Sequence, residues 1–173
     1  NVSGRPYQRY ITEEIMRPIG MNSTGYDVMA SPQERRAIGY RWENDAWTVE
    51  PTMRDGEFGA MGGVETSAND YARWMAFLLS AWPARDGPET GPVRRSTVRE
   101  MAQGLNYAGL GGRQGANGQP CPTAVAYGMG LRAVQDCEIG SYLTHSGGYP
   151  GYGSYMMFMP ERGVGVFAFT NRT

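Results

Sequence analysis

The chain has 173 residues, 40% of them hydrophobic and 12% aromatic, with a formal net charge of −1. That length supports one domain with a real core, and the apolar content excludes a disordered segment. The near-zero charge leaves no electrostatic footprint for nucleic acid or an anionic membrane as partner. All 16 basic side chains are arginine, so the commonest amine base is missing from any mechanism written for these residues alone.

At the amino end, Asn1-Val2-Ser3-Gly4-Arg5-Pro6 carries neither an initiator Met nor a signal-peptide pattern. Tyr7, Tyr10, Ile11 and Ile15 then fall on one helical face, with Pro6 suited to the first turn and Pro18 and Gly20 ending the helix. Ser31-Pro32-Gln33-Glu34 has the form of an N-cap, a first-position proline and a capping-box acid, predicting a short helix. Between Ile38 and Val49 the pattern becomes strand-like, and Asn44-Asp45 is the turn of an expected hairpin.

A Gly-rich run from Glu57 to Val64 precedes Ser67, which can cap a helix whose first turn holds Asp70. The spacing of Tyr71, Trp74, Met75, Leu78 and Leu79 predicts a helix over 68–82 with a broad apolar stripe. Such a stripe is core packing far more often than a cofactor box. Arg95–Met101 is expected as another short capped helix. Asn106–Pro122, with Gly109, Gly111, Gly112, Gly115 and Gly118 and little apolar content, is expected as a mobile surface loop; no strand precedes it and no lysine follows, so it is no phosphate cradle.

Strands are expected at 126–134, 139–144, 153–159 and 164–170, with Asp136-Cys137 and Glu161-Arg162-Gly163 as turns. Helices first and an antiparallel meander afterwards define the α+β class. The chain is expected to form a single partial domain over 1–173: a mainly helical region with a hairpin and loops over 1–122, then antiparallel strands of the α/β part over 123–173. Its last residues, Phe169-Thr170-Asn171-Arg172-Thr173, stop directly after an apolar strand, and both ends read as cuts within a longer chain.

Cys121 and Cys137 are either two buried or free thiols or one disulfide tying the Gly-rich loop to the turn after Gln135, which would imply an oxidising compartment. Two cysteines, one histidine and no metal-ligand spacing argue against a zinc site, and no cofactor is expected. The one histidine, His145, sits in Leu143-Thr144-His145-Ser146-Gly147-Gly148-Tyr149-Pro150-Gly151. A lone strand histidine is more often a hydrogen-bonded structural residue than a catalyst. Neighbouring strand residues point to opposite faces, so His145 is badly placed to act as base for Ser146, which argues against a Ser-His-Asp triad within these residues. Gly147 and Gly148 offer the unhindered N–H groups that an oxyanion hole requires. These residues supply stabilising groups without a nucleophile.

Four blocks in order carry a resemblance: Arg17-Pro18-Ile19-Gly20-Met21-Asn22-Ser23-Thr24, Gly62-Gly63-Val64-Glu65-Thr66-Ser67-Ala68-Asn69-Asp70, Tyr127-Gly128-Met129-Gly130, and His145-Ser146-Gly147-Gly148-Tyr149-Pro150-Gly151. Over essentially its whole length the chain resembles the serine β-lactamase-related hydrolases, which include class C β-lactamases, DD-peptidases and family VIII esterases. The resemblance implies a β-lactamase and penicillin-binding-protein-like fold, incomplete in this chain. It implies acyl-enzyme chemistry on a small-molecule ester, amide or β-lactam. His145-Ser146-Gly147 matches the family's third motif in its His form. By that match His145 and Gly148 are the expected catalytic residues, the latter as an oxyanion donor, while Ser146, Gly147 and Tyr149 line the substrate. No metal is expected.

The departure is the missing Ser-x-x-Lys: a preceding part of the same polypeptide is expected to supply the nucleophile, and these residues alone are expected to be inactive. The rival expectation is a non-catalytic binding or structural member of the same fold. Family tendency and the cysteine pair suggest a periplasmic or secreted protein without a membrane span.

Overall fold

The computed structural model describes residues 2–26, 33–51, 53, 56 and 59–172. Helix α1, Tyr7–Ile11, runs on through a π-helical turn, Thr12–Met16, and a 3-10 turn, Arg17–Ile19. Gly20 ends it with φ 80°, a left-handed cap that its missing Cβ allows. Met16, Met21 and Tyr26 form a small core at this end, with Tyr7, Ile11, Ile19 and Trp74 packed on it. Ser31 and Pro32, which carry the expected cap, lie outside the described residues; a 3-10 turn, Gln33–Arg35, follows them.

Strands β1, Tyr40–Glu43, and β2, Ala46–Val49, form the expected hairpin, with Asn44 and Asp45 both at positive φ (51° and 58°). These are the dihedrals a two-residue turn with the right twist requires, and Asn and Asp tolerate them. Helix α2, Gly59–Gly62, is a single turn. Helix α3, Ala68–Leu79, begins where the cap predicts: Ser67 Oγ accepts from the Asp70 N–H at 3.2 Å. Helix α4, Arg95–Met101, has no capping side chain at Arg94; Glu89 Oε2 accepts the Arg95 N–H from outside instead, at 3.1 Å.

The remaining strands make one antiparallel meander, in the order β3-β4-β5-β6-β7-β8. They are β3 (Asn106–Gln114), β4 (Pro120–Tyr127), β5 (Arg132–Asp136), β6 (Gly140–Tyr149), β7 (Tyr152–Met159) and β8 (Val164–Thr170). The segment 106–122 is therefore no loop but most of a hairpin. Gly109, Gly111 and Gly112 sit on a solvent-facing outer strand, where the backbone ladder does the pairing and a missing side chain removes nothing from the core, and Gly115 and Gly118 make the turn to β4. Ion pairs from Arg113 to Asp136 (3.3 Å) and Glu138 (2.7 Å) tie it down.

The strand expected over 126–134 is also broken in two. Gly128 N–H donates to Leu131 O at 2.8 Å and Gly130 takes φ 80°, so the chain reverses between β4 and β5. One sheet face packs on α3 and α4, with Phe158 and Leu78 essentially inaccessible at 0% and 1% exposure. Met75, Val98, Leu131, Leu143 and Met156 complete that core.

Candidate active site

Strand β6 carries every residue singled out around the histidine, and it is longer than the sequence pattern suggests. The glycines do not end the strand; the ladder to β7 continues in register from Leu143↔Phe158 through His145↔Met156, Gly147↔Ser154 and Gly148↔Gly153 to Tyr149↔Tyr152. Pro150-Gly151 makes the two-residue turn, with Gly151 at φ 79°. That conformation at the third turn position is what glycine supplies at no steric cost.

On its other side β6 outruns its neighbour. The β5 pairing stops at Arg132↔Thr144, so among the described residues no strand pairs with 145–149 on that edge. In an antiparallel ladder the N–H and C=O of one residue point to the same side, and that side alternates along the strand. The tight turn closes on Tyr149↔Tyr152, so Tyr149, Gly147 and His145 address β7, while Gly148 and Ser146 address the open edge.

Side chains follow the same alternation. His145 shares its face with Leu143 and, across the ladder, with Met156 and Phe158, the face that the helices cover. It is half-buried, while Ser146, Gly147 and Gly148 are exposed. Tyr127 OH and His145 Nε2 lie 2.9 Å apart in a hydrogen bond that joins the end of β4 to β6. A Cβ placed on Gly148 would meet nothing within 4 Å, so the strand face is open at this position.

The hairpin tip is braced from outside. The half-buried Tyr149 ring lies against Gly62 of α2, where an added Cβ would come within 3.2 Å of it. Tyr152 OH donates to Ala37 O at 2.8 Å, and Asn171 Nδ2 donates to Ile38 O at 2.9 Å. Gly39 packs so closely on Gly151 and Tyr152 that a Cβ would collide with the Tyr152 ring at 2.8 Å.

The structure thus brings His145, Gly148, Ser146, Gly147 and Tyr149 onto one half-strand, with His145 on the face opposite to Ser146. Tyr127 stands out in the sequence only as part of a motif, with nothing there to signal its bond to His145. Cys121 and Cys137 form a disulfide, with Cα atoms 5.4 Å apart, which settles the choice left open by the sequence. Asp136 lies beside it, but disulfide sulfurs offer no thiolate to a metal. Its Oδ1 instead accepts the Glu138 and Ile139 N–H groups, both at 2.9 Å, which hold the carboxyl below its ordinary range.

The Beta-lactamase family model matches residues 1–173. The chain belongs to the Beta-lactamase family. It is 25% identical to a protein named Beta-lactamase from Escherichia coli (strain K12), over 98% of this chain and 47% of that protein. It is 28% identical to the D-alanyl-D-alanine-carboxypeptidase/endopeptidase AmpH of the same organism, over 100% of this chain and 41% of AmpH. Among solved structures, an octameric penicillin-binding protein homologue from Pyrococcus abyssi superposes with a TM-score of 0.74 at 23% identity, over 98% of this chain and 34% of that one. The fold is therefore the β-lactamase and penicillin-binding-protein fold, present in part. The chain spans less than half the length of these curated relatives. No helix among the described residues is long and apolar enough to cross a membrane.

Proposed function

We propose that these residues form one wall of the active-site cleft of a serine hydrolase that acts through an acyl-enzyme on an ester, amide or β-lactam. The open edge of β6 supports this reading: a stretch of strand that pairs with β7 on one side and with no strand among the described residues on the other, with bare glycine backbone and a half-buried histidine at its start. An acyl group with an amide beside it can lie along that edge as an added strand would, held by main-chain hydrogen bonds. The Gly148 N–H, directed to the open edge, then donates to the carbonyl oxygen as negative charge develops on it. His145 contacts the same substrate from the strand's inner face, while Ser146, Gly147 and Tyr149 shape the rest of the wall.

The nucleophilic serine and its amine partner come from outside these residues, which contain no lysine. The 173-residue chain alone therefore does not turn substrate over. The disulfide favours an oxidising compartment and so an exported protein.

In the protein that carries this chain, His145→Ala is expected to lower kcat/KM for a chromogenic ester or cephalosporin by about 10²-fold or more, as loss of a positioned polar group does. Gly148→Pro removes the proposed donor outright and is expected to cost more. Near-wild-type activity in both variants would return this half-strand to a structural role.

A further inference from the structure

Tyr127 reaches His145 across a sequence separation of 18 residues, at the end of β4, where the backbone is about to reverse through Gly128 and Gly130. The bond is 2.9 Å long, and both side chains are half-buried. Its chemistry is asymmetric. A neutral imidazole has one N–H donor and one sp² nitrogen acceptor, whereas a phenol can donate or accept. An imidazole sp² nitrogen is a much better acceptor than a phenolic oxygen, and a phenolic O–H is a good donor. The stronger arrangement is Tyr127 O–H donating to Nε2, which leaves the ring proton on Nδ1. The partner of one ring nitrogen decides what the other can do.

We propose that Tyr127 is a positioning residue for His145: its hydroxyl, bonded to Nε2, fixes the ring in the Nδ1–H form and so makes His145 a hydrogen-bond donor to the cleft and not a base. This rests on the reading of His145 as a cleft residue and deepens it, because a donor at this place suits substrates that present a carbonyl or carboxylate oxygen there. A donor that holds that oxygen equally in the ground and transition states acts on KM, whereas a base acts on kcat.

The first test needs no variant. Long-range proton–nitrogen spectra of the His145 ring, taken about two pH units above the ordinary histidine value of ~6.5, are expected to show the proton on Nδ1. A proton on Nε2 overturns the proposal. In Tyr127→Phe the ring is expected to lose that preference, and kcat/KM for the chromogenic ester to fall about 10-fold, mainly through KM, which is the loss of roughly one hydrogen bond. An unchanged tautomer in Tyr127→Phe, or a fall confined to kcat, also overturns it. The two readings fail separately. Full activity in His145→Ala removes the cleft assignment while the tautomer result stands; an Nε2–H ring combined with a large loss in His145→Ala removes only the positioning role of Tyr127.

Discussion

Asp70 offers the sharpest test of how the helical part is held together. Its side chain is 3% exposed. One oxygen, Oδ2, accepts the Ser23 N–H at 2.6 Å and the Thr24 hydroxyl at 2.8 Å, while Oδ1 accepts from Arg73 at 3.0 Å. The Arg73 pair is half-exposed and contributes about 0–1 kcal/mol. The other two are hydrogen bonds to a buried carboxylate, roughly 1.5–3 kcal/mol each. Asp70→Ala strands the Ser23 N–H and leaves the Thr24 hydroxyl to Thr66 Oγ1, 2.8 Å away, and is expected to cost about 3 kcal/mol. Asp70→Asn can keep an oxygen on Ser23 and Thr24, but the bonds become neutral and its amide N–H₂ then faces the Arg73 guanidinium. That is expected to cost about 2–3 kcal/mol. Urea unfolding followed by circular dichroism reads the change as a shift in midpoint at constant slope. A double-mutant cycle with Thr24→Val isolates the side-chain bond, with an expected coupling of about 1 kcal/mol or more. A wild-type midpoint for Asp70→Asn would mean that the charge on Asp70 contributes nothing, and would refute this account of the contact. The consequence reaches the site, because the same segment continues into the Gly25–Glu65 bridge, with hydrogen bonds of 3.0 and 2.8 Å, directly after the helix that supports Tyr149.

Two further outcomes follow from the far end of the sheet. The Cys121–Cys137 crosslink closes a loop of sequence separation 16, so Cys137→Ser should lower stability by about 3 kcal/mol on the chain-entropy model; a thermal scan in which the variant melts with the wild type would contradict this. Asp136 and Glu138 are both held below their ordinary carboxylate values, the first chiefly by the N–H groups of Ile139 and Glu138, the second chiefly by the Ala116 N–H and then Arg113. A lowered folded-state pKa gives stability that is complete above the unfolded value of about 4 and is lost as pH falls through the folded value. Stability measured downward from pH 5 should therefore drop more steeply in the wild type than in Asp136→Asn, and parallel curves would refute the assignment.

Local chemistry is legible in the sequence wherever one residue type has one use. Ser67 with Asp70 announces the start of α3, Asn44-Asp45 the β1–β2 turn, and Glu161-Arg162-Gly163 the turn before β8, where Gly163 takes φ 65°. The half-strand around His145 stands out in the sequence as a candidate site because histidine and bare glycines share it. Strand extent is not legible, since glycine has no side chain to show a period of two. The ladders through Gly109–Gly112 and Gly147–Gly148 are made by backbone groups alone, which leave no mark in composition. The bond from Tyr127 to His145 depends on β5 being short, and the sequence pattern runs β4 and β5 together.

The early stop of β5 divides β6 into two working halves. Up to Thr144 the strand is paired on both sides, and Leu143 and Thr144 are buried, so substitutions there are paid for in stability. Past Thr144, among the described residues, β7 is its one strand partner, and Ser146 and Gly148 are exposed, outside the buried core. A change at either position is expected to leave the thermodynamics of folding almost untouched, whatever it does to the proposed cleft. If the proposed cleft is right, this separates the residues free to explore new substrates from those that keep the sheet together, and it does so within a single strand.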